Sequence, residues 1–486
     1  MTTKVTQKIS GMIDKPYVTQ AFAVEQKDAQ ALKLTITFEK KGWVVLLVWD
    51  PKENLRAQYV YVGEQEVNMT ISHDGQSSSF SAIPGAIPPG EWKVEMFAGK
   101  QDNPYNIEVE TATELLEVSL QQKSSWAEIS ESGSFHLTGF AANKSLKTEK
   151  RWYKGDFHTH TTLSDGKMTV DEGLKQAKHQ GLDFFVATDH QLVPTSWLLD
   201  EEVLVIPGIE VTSSKGHFNA LGVDRWIDWR PIRPDGGMES EAGMNKILRE
   251  VKMANGLRSI NHPALVPWEW QFKETDLQEV DVIEIWNDPT FRDNVKATET
   301  ALKLWDGLLN EGYRITGIGG SDSHLLPTES YEEGGPPSVI GDPATYVHAE
   351  KLSVEEILQS VSEGKVYVSR GPVLDVEIMA NGKQVTFGDE FNAETITLHA
   401  NYHDIPAGSL LTCIVNGEKT QSITILEEAG EQSMTIDCQR AFIWIRWEIR
   451  SASGELLAFT NPVFKGGKVP AIRTWNQLQQ KAGITY

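Results

Sequence analysis

The residues best suited to chemistry lie between positions 155 and 166, in the stretch GDFHTHTTLSDG. His158 and His160 are separated by one residue, and at the end of a β-strand two such side chains point to the same face, where they can bind one cation. A turn after them would bring Asp165 back toward the pair. Imidazole and carboxylate ligands suit zinc, manganese or iron. A single His-x-His pair is often an accident of a surface strand, so its meaning depends on the rest of the chain.

The segment from 149 to 372 supplies further side chains of the same kind. Almost every strand predicted in it ends in a residue that can bind a metal ion, and six of the chain's 12 histidines lie at these ends. The candidates beyond the first stretch are His190, Glu210, His217, His262, Asp322 and His324. About four protein ligands serve one ion, so the set predicts two or three divalent cations (Zn, Mn or Fe).

The elements that would position these side chains alternate between strands and helices. Thr169-x-x-Glu172 is a capping box and predicts a helix that ends near Gly181, followed by a buried strand over 183–188. Further helices are predicted over 241–254 and 292–310 and after Ser353, and further strands over 258–260, 280–286 and 314–318. Repeated βα units predict parallel strands, closed as a barrel or open, with chemistry at their carboxyl ends.

The flanking segments have a β pattern. Short alternating or apolar runs separated by turn residues predict a β-sandwich over residues 1–148 and a second one over 373–486. Asn381-Gly382 predicts a hairpin in the second. We therefore expect three domains, at 1–148, 149–372 and 373–486.

Composition narrows the classes of function. The formal net charge of −23 disfavours long nucleic-acid footprints, because these need a basic face, and leaves a small molecule, a nucleotide or a short single strand as partner. No apolar run long enough for a secretory signal or a membrane span is found, so a cytoplasmic location is expected. The 2 cysteines are too few for a disulfide framework. The sequence leaves the oligomeric state open.

The order His-x-His, Asp, Asp-His, Glu, His, His, Asp-x-His over residues 150–370 resembles the polymerase and histidinol phosphatase (PHP) domain. The resemblance implies a distorted (β/α)7 barrel. It also implies that His158, His160, Glu210 and Asp322 hold one ion. Glu210, His217 and His262 would hold a second, and Asp165, His190 and His324 a third.

Two further motifs narrow the resemblance. The stretches WYKGD at 152–156 and YVSRGP at 367–372 are similar to the carbaryl-hydrolase-like (CehA/McbA) branch of that family, which carries additional domains. Members of that branch cleave aryl carbamates or amides, whereas most PHP proteins cleave phosphate esters.

The resulting expectation is a metal-dependent hydrolase in which paired cations lower the pKa of a water molecule and so yield hydroxide at neutral pH. A PHP-type phosphoesterase acting on a small phosphate ester or nucleotide ranks first, because most of the family has that activity. A carbamate, ester or amide hydrolase is the alternative, since tryptophans lie near the motifs and basic residues are few. A 5'-3' exonuclease-like activity and a non-catalytic binding protein are further alternatives.

Two residues outside the ligand set are candidates for catalysis. Asp189 precedes a candidate ligand and could orient a histidine, with metal binding or a structural role as alternatives. Arg370 could bind a substrate anion, with a surface ion pair as the alternative. Trp268, Trp270 and Trp286 are candidates for the pocket wall.

Overall fold

The computed structural model describes residues 4–63, 66–114, 122–130 and 133–484. The amino-terminal part is all β. Its strands are β1 (Lys4–Ile13), β2 (Tyr17–Val24), β3 (Ala31–Phe38), β4 (Val44–Trp49), β5 (Leu55–Tyr61), β6 (Val67–Ser72), β7 (Gly90–Ala98), β8 (Asn103–Ala112), β9 (Lys123–Ser125), β10 (Glu128–Ile129) and β11 (Phe135–His136). Two 4-stranded antiparallel sheets, β1-β8-β3-β6 and β2-β7-β4-β5, enclose an apolar core between them. These two packed sheets form a β-sandwich, and the predicted domain over residues 1–148 stays a prediction, because β9 pairs with β14 of the next segment.

The middle part mixes strands with helices. Its elements are β12 (Arg151–Asp156), α1 (Val170–His179), β13 (Phe184–Ala187), β14 (Ser196–Leu198), β15 (Leu204–Ser213), β16 (Gly216–Leu221), α2 (Glu241–Met253), β17 (Leu257–Ile260), β18 (Val282–Asn287), α3 (Asn294–Glu311), β19 (Thr316–Gly320), β20 (Ala344–Ala349), α4 (Val354–Ser362) and β21 (Val366–Ser369). The capping box of Thr169 and Glu172 is present, and Ser353 caps α4 as predicted. The sequence therefore predicted these two helix starts correctly. At each of them a side-chain hydroxyl accepts a hydrogen bond from a free backbone N–H group.

The carboxyl-terminal part returns to strands and ends in a helix. Its elements are β22 (Val373–Ala380), β23 (Lys383–Val385), β24 (Thr395–His403), β25 (Leu410–Val415), β26 (Glu418–Thr424), β27 (Gly430–Asp437), β28 (Ile443–Arg450), β29 (Leu456–Thr460), β30 (Val463–Lys465) and α5 (Trp475–Ala482). Asn381 and Gly382, both with positive φ, form the predicted turn between β22 and β23. The sequence prediction missed α5, although Thr474 and Gln477 form a capping box at its start.

One 14-stranded sheet carries the middle part and continues beyond it. Its main path has the order β19-β18-β17-β16-β15-β13-β12-β20-β21-β29-β28-β25-β26, and β30 pairs with β28 beside this path. Some pairs are parallel, as predicted, but β16 runs antiparallel to both β15 and β17, and β20 runs antiparallel to β12 and β21. Because β21 pairs with β29, the sheet crosses position 372. The three-domain division remains a prediction.

The expected (β/α)7 barrel is not confirmed, because the described strands form an open path rather than a closed ring. Side chains instead satisfy backbone groups of β19, the end strand. The Thr345 hydroxyl accepts from Gly319 N at 3.0 Å and donates to Gly319 O at 2.7 Å. Asn461 does the same for Gly317, at 2.9 and 2.7 Å. The sheet is therefore curled, and polar side chains from β20 and from the residue after β29 hold its end strand in place.

No helix among the described residues combines the length and the apolar character needed to cross a membrane.

Replacing Thr345 with valine tests this closure. Valine keeps the shape but leaves both buried backbone groups of Gly319 unpaired, which costs about 2 kcal/mol. We expect calorimetry to show a melting temperature lowered by roughly 5 °C. Thr395→Val, an exposed threonine at the start of β24, is the matched control and should change it by less than about 1 °C. Equal melting temperatures for the two variants would contradict the closure.

Candidate metal centre

The predicted ligands lie together, and distinct elements of the curled sheet bring them there. His158 and His160 follow β12, His190 follows β13, His262 follows β17, and Asp322 and His324 follow β19. Glu210 and His217 differ from the prediction, because they lie inside the antiparallel hairpin of β15 and β16 rather than at strand ends, with His217 opposite Thr212. A hairpin with alternating side chains therefore places these two donors on one face.

Glu210 is the central carboxylate of the site. Its Oε1 lies 3.2 Å from His217 Nδ1, 3.3 Å from His158 Nε2 and 3.6 Å from His262 Nε2. Its Oε2 lies 2.8 Å from His190 Nδ1 and 3.4 Å from His160 Nε2. A fully buried carboxylate with imidazoles around both oxygens has the geometry of a bridging ligand.

Two further carboxylates complete the set. Asp322 Oδ1 lies 2.9 Å from His160 Nε2 and 3.3 Å from His158 Nε2. Asp165 Oδ1 lies 3.2 Å from His324 Nε2 and 3.4 Å from His190 Nε2.

Donor atoms within 4.8 Å of one another form three groups that could each hold a metal ion. The groups are His158, His160 and Asp322; Glu210, His217 and His262; and His160, Asp165, His190 and His324. They match the three ion sites implied by the family resemblance, except that His160 joins the Asp165 group and Glu210 adjoins rather than belongs to the first.

Many of these donor atoms are buried and have no hydrogen-bond partner among the described residues. They are His158 Nε2, both ring nitrogens of His160, Asp165 Oδ1, Glu210 Oε2, His262 Nδ1 and Asp322 Oδ1. Buried polar atoms are nearly always satisfied, so a cluster of unsatisfied ones that face each other requires an explanation. Divalent cations fit, because every atom in the cluster is a nitrogen or oxygen donor of the kind that zinc, manganese and iron accept.

The charges within the cluster follow from burial and from the neighbouring groups. Burial alone would raise the pKa of Glu210, Asp165 and Asp322, but the charges on neighbouring imidazoles hold the pKa of all three well below the usual range. Burial and two neighbouring imidazoles lower the pKa of His160 to about 3. Burial opposes a charge on His324, yet Asp165 and Asp322 raise its pKa to about 9. At neutral pH the carboxylates are therefore ionised and His160 is neutral, whereas His324 is protonated and must release its proton when a metal ion binds.

Glu284 supports the centre from behind, and sequence reasoning missed it. This buried carboxylate of β18 lies 3.0 Å from His158 Nδ1 and accepts the backbone N–H of His262 at 2.8 Å. An N–H on His158 Nδ1 that faces a carboxylate leaves Nε2 free as a lone-pair donor. The available signal was an acidic residue within the apolar strand VIEIWN.

Backbone contacts hold two of the ligands in an unusual conformation. His262 and Asp322 both have positive φ, at 26° and 48°, which is unfavourable for residues with a Cβ atom. The Asp322 N–H donates to His158 O at 2.8 Å, and Glu284 receives the N–H of His262. These bonds fix the backbone where the side chains must turn into the site.

Asp156 connects the strand ends that carry the centre. Its fully buried carboxylate accepts backbone N–H groups from His158 at 3.0 Å, Ser321 at 3.0 Å and Gly341 at 2.7 Å. Burial outweighs these bonds and raises its pKa to about 6. Asp156 therefore ties the ends of β12 and β19 to each other.

Asp189 does not have the contact expected of it. Its carboxylate accepts from Thr161 N and Thr161 Oγ1, each at 2.8 Å, and from Ser164 Oγ at 2.6 Å. These bonds hold the loop that leads to Asp165, and the structure records no hydrogen bond from its carboxylate to a histidine ring. The structural alternative describes these contacts, and a catalytic role for Asp189 stays a prediction.

Arg370 also lies elsewhere. Its guanidinium pairs with Asp342 at 2.9 Å and with Glu455 at 3.3 Å, and it is not among the described residues that line the cleft at the candidate centre. Two carboxylates already neutralise the Arg370 guanidinium. Its contacts are therefore those of the ion-pair alternative and not those of a group that binds a substrate anion.

A cleft of about 940 Å³ opens onto the candidate centre. Most of its lining is apolar or aromatic, and among the described residues that line it there is no lysine or arginine. Trp268 lines it, as predicted, and is 42% exposed, whereas Trp270 and Trp286 are buried outside the lining. The chain therefore places an apolar slot next to a cluster of metal-competent donors.

The chain has only weak similarity to known proteins. No family model matches the chain, and no curated protein does. A two-domain protein of Bacteroides vulgatus, described as containing a predicted PHP-like metal-dependent phosphoesterase, is 17% identical, with a TM-score of 0.36 over 66% of this chain and 99% of its own. An amidohydrolase of Chromobacterium violaceum is 14% identical, with a TM-score of 0.22 over 37% of this chain and 90% of its own. At such TM-scores neither similarity identifies the function of this chain, so the function must be inferred from the residues of the site.

Glu284→Gln tests the support behind the centre. The glutamine oxygen can satisfy either His158 Nδ1–H or the His262 N–H, and its NH2 group then faces the other donor. We expect the affinity for zinc or manganese to fall about 10- to 100-fold, measured by chelator competition with metal analysis. Glu274→Gln, an exposed residue after β17, is the control and should bind metal as the unmodified protein does. Unchanged affinity in Glu284→Gln would show that Glu284 does not position the site.

Proposed function

We propose that the protein is a metal-dependent hydrolase that acts on an uncharged small ester, amide or carbamate with an apolar substituent. The observation that carries this proposal is the composition of the cleft, which joins metal-competent donors to apolar walls and has no lysine or arginine among its described lining residues. Ligand sites are mostly apolar surfaces with a few converging polar groups, and this cleft fits that description.

The donor set assigns the cations in our proposal. His158, His160 and Asp322 would hold one, Glu210, His217 and His262 a second, and Asp165, His190 and His324 a third, with Glu210 placed to bridge. Bound divalent cations supply polarisation of the carbonyl oxygen and a lowered pKa of water. The chain's own residues hold the donors in position, and the apolar walls exclude bulk water around the reacting group.

Phosphate esters rank lower once the cleft is considered. The lining contains the carboxylates of Asp165, Glu210, Glu239, Asp288 and Asp322, so a substrate with its own negative charge would depend entirely on the cations for neutralisation. A phosphate-binding site ordinarily adds arginine or lysine to the metal ions. The same lack of basic lining residues disfavours a nuclease.

The proposal is tested first with a panel of substrates. Purified protein is analysed for metal and then assayed with 4-nitrophenyl acetate, an aryl N-methylcarbamate, 4-nitrophenyl phosphate and nucleoside monophosphates. We expect turnover of the uncharged esters or carbamates at rates at least about 10-fold above those of the phosphates. Efficient phosphate hydrolysis without ester or carbamate hydrolysis would restore phosphoesterase as the better assignment.

Single substitutions then test whether the centre does the chemistry. His160→Ala and Asp322→Ala should each lose bound metal and at least ~100-fold of the activity together, because His160 belongs to two donor groups and Asp322 is the carboxylate of its group. His179→Ala, an exposed histidine at the end of α1, is the matched control and should retain both. Full activity in either site variant would refute the assignment.

A further inference from the structure

We propose that the amino-terminal β-sandwich forms one wall of the substrate site, and that Trp43 selects substrates with a planar apolar group. This inference rests on the proposed hydrolase function and extends it to substrate recognition. The sandwich then takes part in substrate recognition. Its residues are far along the sequence from the metal ligands, so the sequence alone does not indicate this role.

The wall is built from one sheet of the sandwich. Tyr17 on β2, Phe97 on β7 and Val45 on β4 are neighbours across the strands, since Phe97 pairs with both of the others. The rings of Tyr17 and Phe97 are 5.0 Å apart. All three side chains line the cleft. Trp43 lies two residues before Val45 and also lines the cleft, which extends the wall toward the centre.

The wall exists because strand β4 is buried on both of its faces. Along β4, Val44, Leu46 and Val48 pack into the core of the sandwich, whereas Val45 and Leu47 pack into the core shared with the middle part of the chain. A strand buried on both faces needs a continuous apolar run, and VVLLVW is such a run. The sheet is therefore shared between the sandwich and the cleft.

Hydrogen bonds fix the sandwich against the loops that carry the ligands. The amide of Gln58 donates to Val193 O at 3.0 Å and accepts from Val193 N at 3.3 Å, three residues after His190. The Tyr59 hydroxyl donates to Thr162 O at 3.0 Å, two residues after His160. These contacts, on two separate loops, hold the wall at a fixed distance from the centre.

Trp43 is the residue where wall and centre meet. Its ring lies 5.0 Å from the ring of His190 at an interplanar angle of 71°. No other tryptophan of the described sandwich lines the cleft, because Trp49 packs on Trp226 and Trp92 is in the core. A half-buried indole beside the reacting position offers a flat apolar surface to a substrate ring.

A second group of aromatic residues also lines the cleft. Trp268 contacts Phe291 edge to face at 6.3 Å, and Phe291 contacts Tyr331 in the same way at 5.3 Å. All three rings line the cleft. A planar apolar substituent therefore has aromatic surface available in the cleft beyond that of Trp43, whereas a small aliphatic one contacts little of it.

The test compares Trp43→Ala with Trp152→Ala. Trp152 is also half-buried but packs on Tyr367 and Phe387, away from the cleft, so it is a matched control. Binding of 2-(1-naphthyl)ethanol, which cannot be hydrolysed, is measured by calorimetry on the metal-loaded protein. Activity is measured as kcat/KM for 1-naphthyl acetate and for ethyl acetate, together with metal content.

We expect Trp43→Ala to weaken naphthylethanol binding and to lower kcat/KM for naphthyl acetate by about tenfold each. Metal content and kcat/KM for ethyl acetate should stay within about twofold, and Trp152→Ala should change none of these quantities. Unchanged naphthylethanol affinity would overturn the inference. An equal loss for both esters, or loss of metal, would also overturn it, because Trp43 would then act through His190.

Two further outcomes are separable. If the unmodified protein hydrolyses neither ester and none of the uncharged substrates of the panel, the proposed function fails, while the binding measurement still decides whether Trp43 forms a recognition wall. If Trp43→Ala does not fold, Trp43→Leu keeps an apolar side chain but removes the planar ring, and the same measurements and criteria apply to it.

Discussion

The electrostatics of one buried cluster govern this structure. Glu210, Asp165 and Asp322 are ionised carboxylates surrounded by histidines, and many of the donor atoms have no hydrogen-bond partner among the described residues. Burying such groups is unfavourable unless cations or precise hydrogen bonds compensate them. The carboxylates of Asp156 and Glu284 behind the cluster, and the positive-φ backbone of His262 and Asp322, follow from that requirement. They hold donors in positions that the chain would not adopt by local preference alone.

Much of the centre could be predicted from the sequence because its signals are local. The pair His158 and His160, and the pair Asp322 and His324, each have the same spacing directly after a strand, and the cap at Thr169 needs only residues three positions apart. Glu284 gave a weaker signal, since one acidic residue in an apolar strand has several explanations. The contacts of Asp189 and Arg370 depend on which partners the fold brings near, so the neighbouring sequence could not reveal them.

The architecture was harder to predict than the site. Strand patterns show which segments are extended, but not that β16 runs antiparallel between β15 and β17, nor that Thr345 and Asn461 occupy the end of the curled sheet. No repeating sequence pattern predicts these last contacts, because each is made by one isolated polar side chain. That side chain makes the hydrogen bonds that a neighbouring strand would otherwise make. The continuous apolar run of β4 was visible, yet its cause, burial between two cores, required the structure.

The pairing of β21 with β29 has a consequence for the order of synthesis. Strand β29 and Asn461 follow the residues of the metal-competent cluster along the chain, so a ribosome releases them after the whole cluster has emerged. Until then β21 is an uncovered edge and the end strand β19 lacks the bonds of Asn461. Uncovered edges promote pairing with other chains. The nascent protein therefore passes through a stage in which the cluster is complete in sequence but the edge strand β21 of its sheet has no partner on one side.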